Sequence, residues 1–268
     1  MSASLLTPAL FIGHGNPMNA LSENANSLAW RAMLSDLTIA TAPRAILVIS
    51  AHWLTRGVAI TATAHPQTIH DFSGFPAALN AFQYPAPGDP KLAAEIADLL
   101  APQTVTLDKD WGLDHGAWSV LTHLFPAADI PVLQLSLDTG KTAAEHYAMA
   151  QQLRPLREQG VLILGSGNAV HNLRRMNWQQ PDSAHDWAIR FNQRVRQCLL
   201  SGDHAELFDQ TGDDAKLAVP TPEHFWPLLY IAAQQHTDET LELFNDRIEY
   251  GAIGMLSCRI GSPQKAHA

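Results

Sequence analysis

Apolar residues along the chain fall into short unbroken runs separated by longer stretches of helical spacing. Leu10 to Gly13 (LFIG) is the first run and predicts a buried strand. Ala45 to Ser50 (AILVIS) follows Pro43 and gives a stronger signal, running out at Ala51-His52-Trp53. Gly160 to Gly165 (GVLILG) is its equal. Val58 to Thr63 alternates, and Val105 to Leu107 and Pro131 to Leu137 are further strands. Leu241 to Phe244 and Gly254 to Ile260 predict closing strands.

Helices are predicted between these runs. Asn24 to Leu37 carries apolar residues at Leu28, Ala32 and Leu37. Asp89 caps a helix that reaches Leu100, with Pro90 in its first position. Asp114 caps a helix from His115 to Phe125. Thr142 to Arg157 is helical, with Pro155 ending it early. Asp182 to Leu200 is long and amphipathic, and Pro222 to Gln235 follows Thr221 as its N-cap. Residues 65–90 are rich in Pro, Phe, Gly and His, and a loop of that length predicts a pocket lining.

Buried strands alternating with helices predict an α/β fold: one domain over residues 1–268, with a mixed, mostly buried central sheet flanked by helices. No linker, repeat or low-complexity run divides the chain, and its 46% hydrophobic content can fill a sizeable core. Ligands of such sheets bind beyond the carboxyl ends of strands.

A net charge of -9 argues against a nucleic-acid partner, which would need a basic stripe, and favours a small-molecule one. Cys198 and Cys258 form no CxxC pair and predict no disulfide framework. The opening stretch lacks the basic start of a signal peptide, and no apolar run reaches the length of a membrane span. A cytoplasmic protein with no membrane partner is expected; the oligomeric state stays open.

Five histidine motifs sit at or near predicted element ends: Gly13-His14-Gly15-Asn16-Pro17, Ser50-Ala51-His52-Trp53, Asp114-His115-Gly116, Gly165-Ser166-Gly167 followed by His171-Asn172, and Pro222-Glu223-His224. Singly, each has a plain explanation. His14 fits a turn, and His52 fits a core histidine bonded to backbone. Glu223 and His224 fit ordinary helix-start chemistry. The GxG of the fourth motif lacks the third glycine of a dinucleotide fingerprint, and its glycines can simply let the chain turn close to a site. Together the motifs bring neutral imidazoles to several element ends of one fold. Imidazole suits zinc, iron and copper, and about three such ligands leave positions open for chemistry. His65 and His70 are possible pocket residues on the long loop. The other histidines (His123, His146, His185, His204, His236, His267) look unpatterned and are expected mostly at the surface.

The same motifs, in this order from about residue 8 to residue 260, resemble those of the DOPA-type extradiol dioxygenases, within the LigB-like class III ring-cleavage group. The resemblance implies a fold of the phosphorylase/hydrolase-like kind and a metal held by His14, His52 and His224. It makes His171 an acid/base group or a further metal ligand, and His115 a catalytic residue lining the substrate pocket. It implies one divalent ion per chain, Fe(2+) for oxygen chemistry with Zn(2+) expected in the protein as isolated, and a catechol such as L-DOPA with O2 as co-substrates. Relatives that cleave protocatechuate use two histidines and a carboxylate, and the matching segment offers both Glu223 and His224; the DOPA-type motif favours His224, with Glu223 left open as the alternative. Adjacent helical residues point about 100° apart, which disfavours both binding one ion. Trp53, Phe72, Phe75 and Trp118 are candidates to pack against a flat ring. The alternatives are a zinc-dependent hydrolase, for which the usual HExxH is absent, and a non-catalytic metal-binding protein.

Overall fold

A computed structural model describes residues 6–35 and 42–261. Among them the strands are β1 (Ala9–Gly13), β2 (Ala45–Thr55), β3 (Val58–Thr61), β4 (Val105–Asp108), β5 (Val132–Asp138), β6 (Val161–Gly167), β7 (Leu241–Phe244), β8 (Ile248–Glu249), β9 (Ile253–Gly254) and β10 (Ser257–Ile260). The α-helices are α1 (Ala25–Ala32), α2 (Ala77–Asn80), α3 (Pro90–Leu99), α4 (His115–Leu124), α5 (Ala143–Gln151), α6 (Pro155–Glu158), α7 (Asp186–Ser201), α8 (Asp213–Ala218) and α9 (Trp226–Ala232).

Eight strands form one mixed sheet in the order β4-β3-β5-β2-β6-β1-β10-β7, and β8 pairs with β9 apart from it. The inner strands β5, β2, β6 and β1 are parallel, while β3 and β10 run antiparallel to their inner neighbours. Alternate side chains of one strand meet opposite layers, because successive residues point to opposite faces. Phe11, Leu47, Ile49 and Ile163 pack with residues of α3, α5, α7 and α9. Leu10, Ile12, Ile46, Val48, Leu162 and Leu164 pack on the other face with Trp30 of α1 and with Trp118, Val120 and Leu121 of α4. Burial on both faces explains why β1, β2 and β6 read as unbroken apolar runs.

Parallel register brings the strand ends together. Gly13 of β1 lies opposite Gly167 of β6, and Ser50 of β2 lies opposite Ser166. The ladder between β2 and β5 lapses from Ile49 to Leu54, so His52 sits on a stretch of β2 freed from that partner.

Several predicted boundaries move. Of the helix predicted to Leu37, Ala25–Ala32 is α-helical, capped by Asn24, whose side chain accepts from the Asn26 and Ser27 amides; Leu37 lies outside the described residues. Pro155 does end the preceding helix, and opens α6. The last predicted helix starts later: Pro222 to Phe225 form a turn and α9 begins at Trp226. Thr221 does not cap it, because its hydroxyl donates to Glu223 Oε1 at 2.8 Å.

Candidate active site

Each of the five histidine motifs is held by its own backbone device at the carboxyl edge of the parallel strands. His14 directly follows β1; its amide donates to the Gly167 carbonyl at 3.0 Å, and Gly15 takes φ +62°, a left-handed turn that favours glycine. His115 is the first residue of α4, whose N-cap is Asp114. The buried Asp114 carboxylate accepts from Ser50 Oγ at 2.7 Å, Gln134 Nε2 at 2.7 Å and the Ala117 amide at 3.1 Å. Burial pushes this carboxyl above the ordinary aspartate range. The amide of His171 donates to Ala218, and the residue bridges to Ile253 of β9. His224 sits in the turn before α9, and its carbonyl accepts from the Asn168 amide at 2.8 Å. A Cβ at Gly167 would come within 2.2 Å of that carbonyl oxygen, so a glycine is required there.

The rings converge. Centroids of His14 and His52 lie 5.2 Å apart, those of His14 and His224 5.5 Å, and those of His52 and His224 4.9 Å. His115 is 3.9 Å from His52 and 6.0 Å from His14. His171 stacks on His224 at 3.5 Å with planes 5° apart. Donor atoms of His14, His52 and His115 lie within 4.8 Å of one another, as do those of His171, Glu223 and His224.

Hydrogen bonding sets the protons. Ser166 Oγ donates its only hydrogen to the Gly116 carbonyl at 2.5 Å, so it can only accept from His14 Nδ1 at 2.9 Å. That puts the His14 proton on Nδ1 and leaves a lone pair on Nε2, which stands 3.4 Å from His52 Nε2. Nδ1 of His52 faces Asp71 Oδ2 at 3.6 Å, and Nδ1 of His224 faces Glu223 Oε1 at 3.2 Å. For His14 and His224 this is how metal-bound histidines are oriented, with the second ring nitrogen on an oxygen acceptor, whereas His52 Nδ1 stands just beyond hydrogen-bond reach of Asp71. Burial, reinforced by the neighbouring rings, holds the pKa values of His14 and His224 well below the usual 6.5. Burial and His115 bring His52 down to about 3. These imidazoles are neutral at neutral pH, the form that binds metal. The residues therefore fit a divalent ion held by nitrogen.

Asp71 is a site residue that sequence reasoning missed. Its Oδ2 lies 2.9 Å from His115 Nδ1, and its Oδ1 accepts from the His115 amide at 2.9 Å. Burial works to raise its pKa, but the contacts with His115 win and lower it, so it stays a carboxylate. The only cue in the sequence was its place in the long loop.

The histidines open on a cavity of ≈ 290 Å³, walled on its apolar side by Phe72, Phe75, Leu173, Met176, Trp178 and Tyr250. Phe72 and Phe75 are where the sequence suggested. Trp53 and Trp118 are not: Trp53 stacks on Trp111 at 5.3 Å, and Trp118 is fully buried with its indole N–H on the Ile69 carbonyl. His70 lies behind the wall, bonded to the Phe82 carbonyl at 2.9 Å, and His65 is exposed. Contrary to expectation, His123, His146 and His204 are buried, paired with the Asn19 carbonyl, Tyr230 and Tyr147; His267 lies outside the described residues.

Residues 8–260 match the family model of the catalytic LigB subunit of aromatic ring-opening dioxygenase. A 4,5-DOPA dioxygenase extradiol of Escherichia coli (strain K12) is 45% identical over 266 residues, covering 97% of this chain and 96% of that protein. A 4,5-DOPA dioxygenase extradiol of Beta vulgaris is 39% identical over 259 residues, covering 94% and 96%. The crystal structure of an uncharacterised Escherichia coli K12 protein superposes with a TM-score of 0.83 at 41% identity, covering 95% of this chain and 100% of that one.

Proposed function

The chain belongs to the LigB family of aromatic ring-opening dioxygenases, and from that premise we propose that it opens catechols such as L-DOPA by 4,5-extradiol cleavage, at a metal held by His14, His52 and His224. The observation that carries this reading is the triangle of ring centroids at 5.2, 5.5 and 4.9 Å. Three imidazoles on one ion, with metal–nitrogen distances of about 2.1 Å and angles of roughly 90–120°, have centroids ~4.5–5.6 Å apart. His115 fits less well as a third ligand, since its centroid lies 3.9 Å from one partner and 6.0 Å from the other.

A divalent non-haem metal, when bound, supplies chelation of the two catechol oxygens and the redox partner that dioxygen needs. Everything else falls to the protein. His171, drawn down to a pKa of about 4 by its burial, is neutral at neutral pH and takes the proton of a catechol hydroxyl at a ring nitrogen. His115 has Nδ1 beside Asp71, which leaves Nε2 to exchange protons with the substrate. Phe72 and Phe75 stand in the cavity wall and hold the flat ring. The ring opens beside its hydroxyl pair and gives a muconate semialdehyde.

Fe(2+) is the working ion in this reading. An all-imidazole site also binds Zn(2+), which lies above Fe(2+) in affinity order, so zinc is expected in the protein as isolated. Cys198 and Cys258 are free and buried, in keeping with a cytoplasmic home. Among the described residues no helix is long and apolar enough to cross a membrane.

Iron-loaded protein, prepared without oxygen and then mixed with L-DOPA and air, should consume oxygen in step with a yellow ring-opened product; the zinc form should not. Oxygen-independent hydrolysis of an ester or amide by the zinc form, with no catechol cleavage by the iron form, would replace this reading with a zinc hydrolase.

A further inference from the structure

Beside the apolar cavity lies a second, polar hollow of ≈ 540 Å³, whose walls include Asn26, Asp182 and Arg247. The two hollows share Asn16, Glu249 and Tyr250. At their junction sits a bonded trio. Glu249 Oε1 accepts from Asn26 Nδ2 at 2.8 Å and from Arg247 Nε at 3.2 Å, and Arg247 Nη2 donates to Asn26 Oδ1. Among the described residues these bonds leave Glu249 Oε2 and Arg247 Nη1 without a hydrogen-bond partner. The side chains of Arg247 and Glu249 are 38% and 23% exposed, so both remain open to a ligand.

Strand register supplies the ruler. Glu249 pairs with Ile253 across β8 and β9, and Ile253 bridges to His171. Residues opposite one another in antiparallel pairs point to the same face. His171, Ile253 and Glu249 all line the cavity. Two such steps set the Cα atoms of His171 and Glu249 roughly 9–11 Å apart. That span suits a ring at the histidines with a short arm reaching the carboxylate.

We propose that Glu249 and Arg247 form a head-group site for a catechol carrying an α-amino acid, Glu249 taking the ammonium and Arg247 the carboxylate. This assignment rests on the dioxygenase reading above and specifies its substrate class. An apolar cavity by itself would accept any catechol of suitable size. One acid and one base, side by side at the junction, select a zwitterion, because each charged hydrogen bond adds to binding only when its counterpart is present.

The test uses full-length iron-loaded protein and four catechols: L-DOPA, dopamine, 3-(3,4-dihydroxyphenyl)propionate and 4-methylcatechol. Dissociation constants are measured without oxygen, and kcat/KM with it. Glu249→Gln should weaken L-DOPA and dopamine relative to 4-methylcatechol by about 10-fold or more, the scale of a lost charged hydrogen bond. Arg247→Met should do the same to L-DOPA and the propionate. A purely structural role would shift all four catechols together, and that result, or unchanged ratios, would overturn the head-group site. Cleavage of no catechol by the wild-type protein would overturn the dioxygenase reading itself. Preferential anaerobic binding of L-DOPA, lost in both variants, would support the head-group site even then.

Discussion

The imidazole of His171 lies flat on that of His224, with centroids 3.5 Å apart and planes within 5°. Stacking fixes the ring of His171 without using its nitrogens, which leaves them available for protons. His171→Ala should therefore lower kcat by about 10²–10⁴-fold, the usual scale for a lost acid/base group, while the protein keeps its metal. Metal analysis beside steady-state kinetics checks this. Metal loss as large as that of a His14 variant would make His171 a ligand instead.

His14→Ala, His52→Ala and His224→Ala should each abolish tight metal binding while the fold persists, read as metal content after gel filtration beside the circular dichroism spectrum. Glu223→Gln is the contrast. Its amide oxygen can still accept from His224 Nδ1, now 3.2 Å from Glu223 Oε1, so metal should stay. If the Gln variant loses metal as completely as His224→Ala, the carboxylate itself is a ligand.

Asp71 faces two site histidines at once, His115 at 2.9 Å and His52 at 3.6 Å. Removing a carboxylate that orients a ligand typically costs 10–100-fold in metal affinity or activity. Asp71→Ala should fall in that range in kcat or in the metal dissociation constant. Wild-type values for both would show that His52 and His115 hold their places unaided.

Much of this site was legible because strand ends are. The apolar runs at β1, β2 and β6 finish within two residues of His14, His52 and Gly167, and burial on both faces is what made those runs unbroken. Asp89 and Asp114 cap their helices as local chemistry predicts. Local rules failed where the partner is distant. The Asp71 contact to His115 spans 44 positions. The burial of His146 depends on Tyr230, 84 positions away. At Thr221-Pro222-Glu223 the helix-start pattern is present, but Thr221 bonds Glu223, and α9 opens at Trp226 with Pro227 in its first turn. The premise that Glu223 and His224 share a helix therefore fails, and with it the 100° argument against their acting together. Trp53 and Trp118 adjoin histidine motifs in sequence, yet the rotation of strand and helix turns them into the core.

Acid should destabilise the metal-free protein earlier than carboxylate chemistry alone would. His52 sits at about 3, His146 at about 4 and His171 at about 4, all depressed first by burial. An unfolded histidine titrates near 6.5. Below that pH the unfolded chain binds protons that the folded chain refuses, so stability falls as pH drops from about 6.5 and levels off only once the folded values are passed. Tm should be flat above pH ~7 and decline between pH ~6.5 and ~5. His146→Gln, which can still bond Tyr230, should flatten part of that decline. A Tm that stays constant down to pH ~5 would show that these rings protonate without cost in the folded state.

Ser166 should control the metal without touching it. Its hydroxyl donates to the Gly116 carbonyl and accepts from His14 Nδ1, which forces the His14 proton onto Nδ1 and frees Nε2. Ser166→Ala removes both bonds inside a fully buried strand and leaves the His14 Nδ1–H without its acceptor, a cost of about 1–3 kcal/mol for a buried group, while the Gly116 carbonyl keeps its place in the α4 ladder. The tautomer is then no longer dictated, and His14 can protonate at Nε2, where it cannot bind an ion. Metal affinity should fall by about 10-fold or more, beside a lowered Tm. Ser166→Thr separates the two effects. It restores the hydroxyl, and should recover metal affinity even where the extra methyl keeps Tm low. Affinity that follows Tm through both variants would show that Ser166 acts by packing alone, with His14 finding its tautomer from the metal itself.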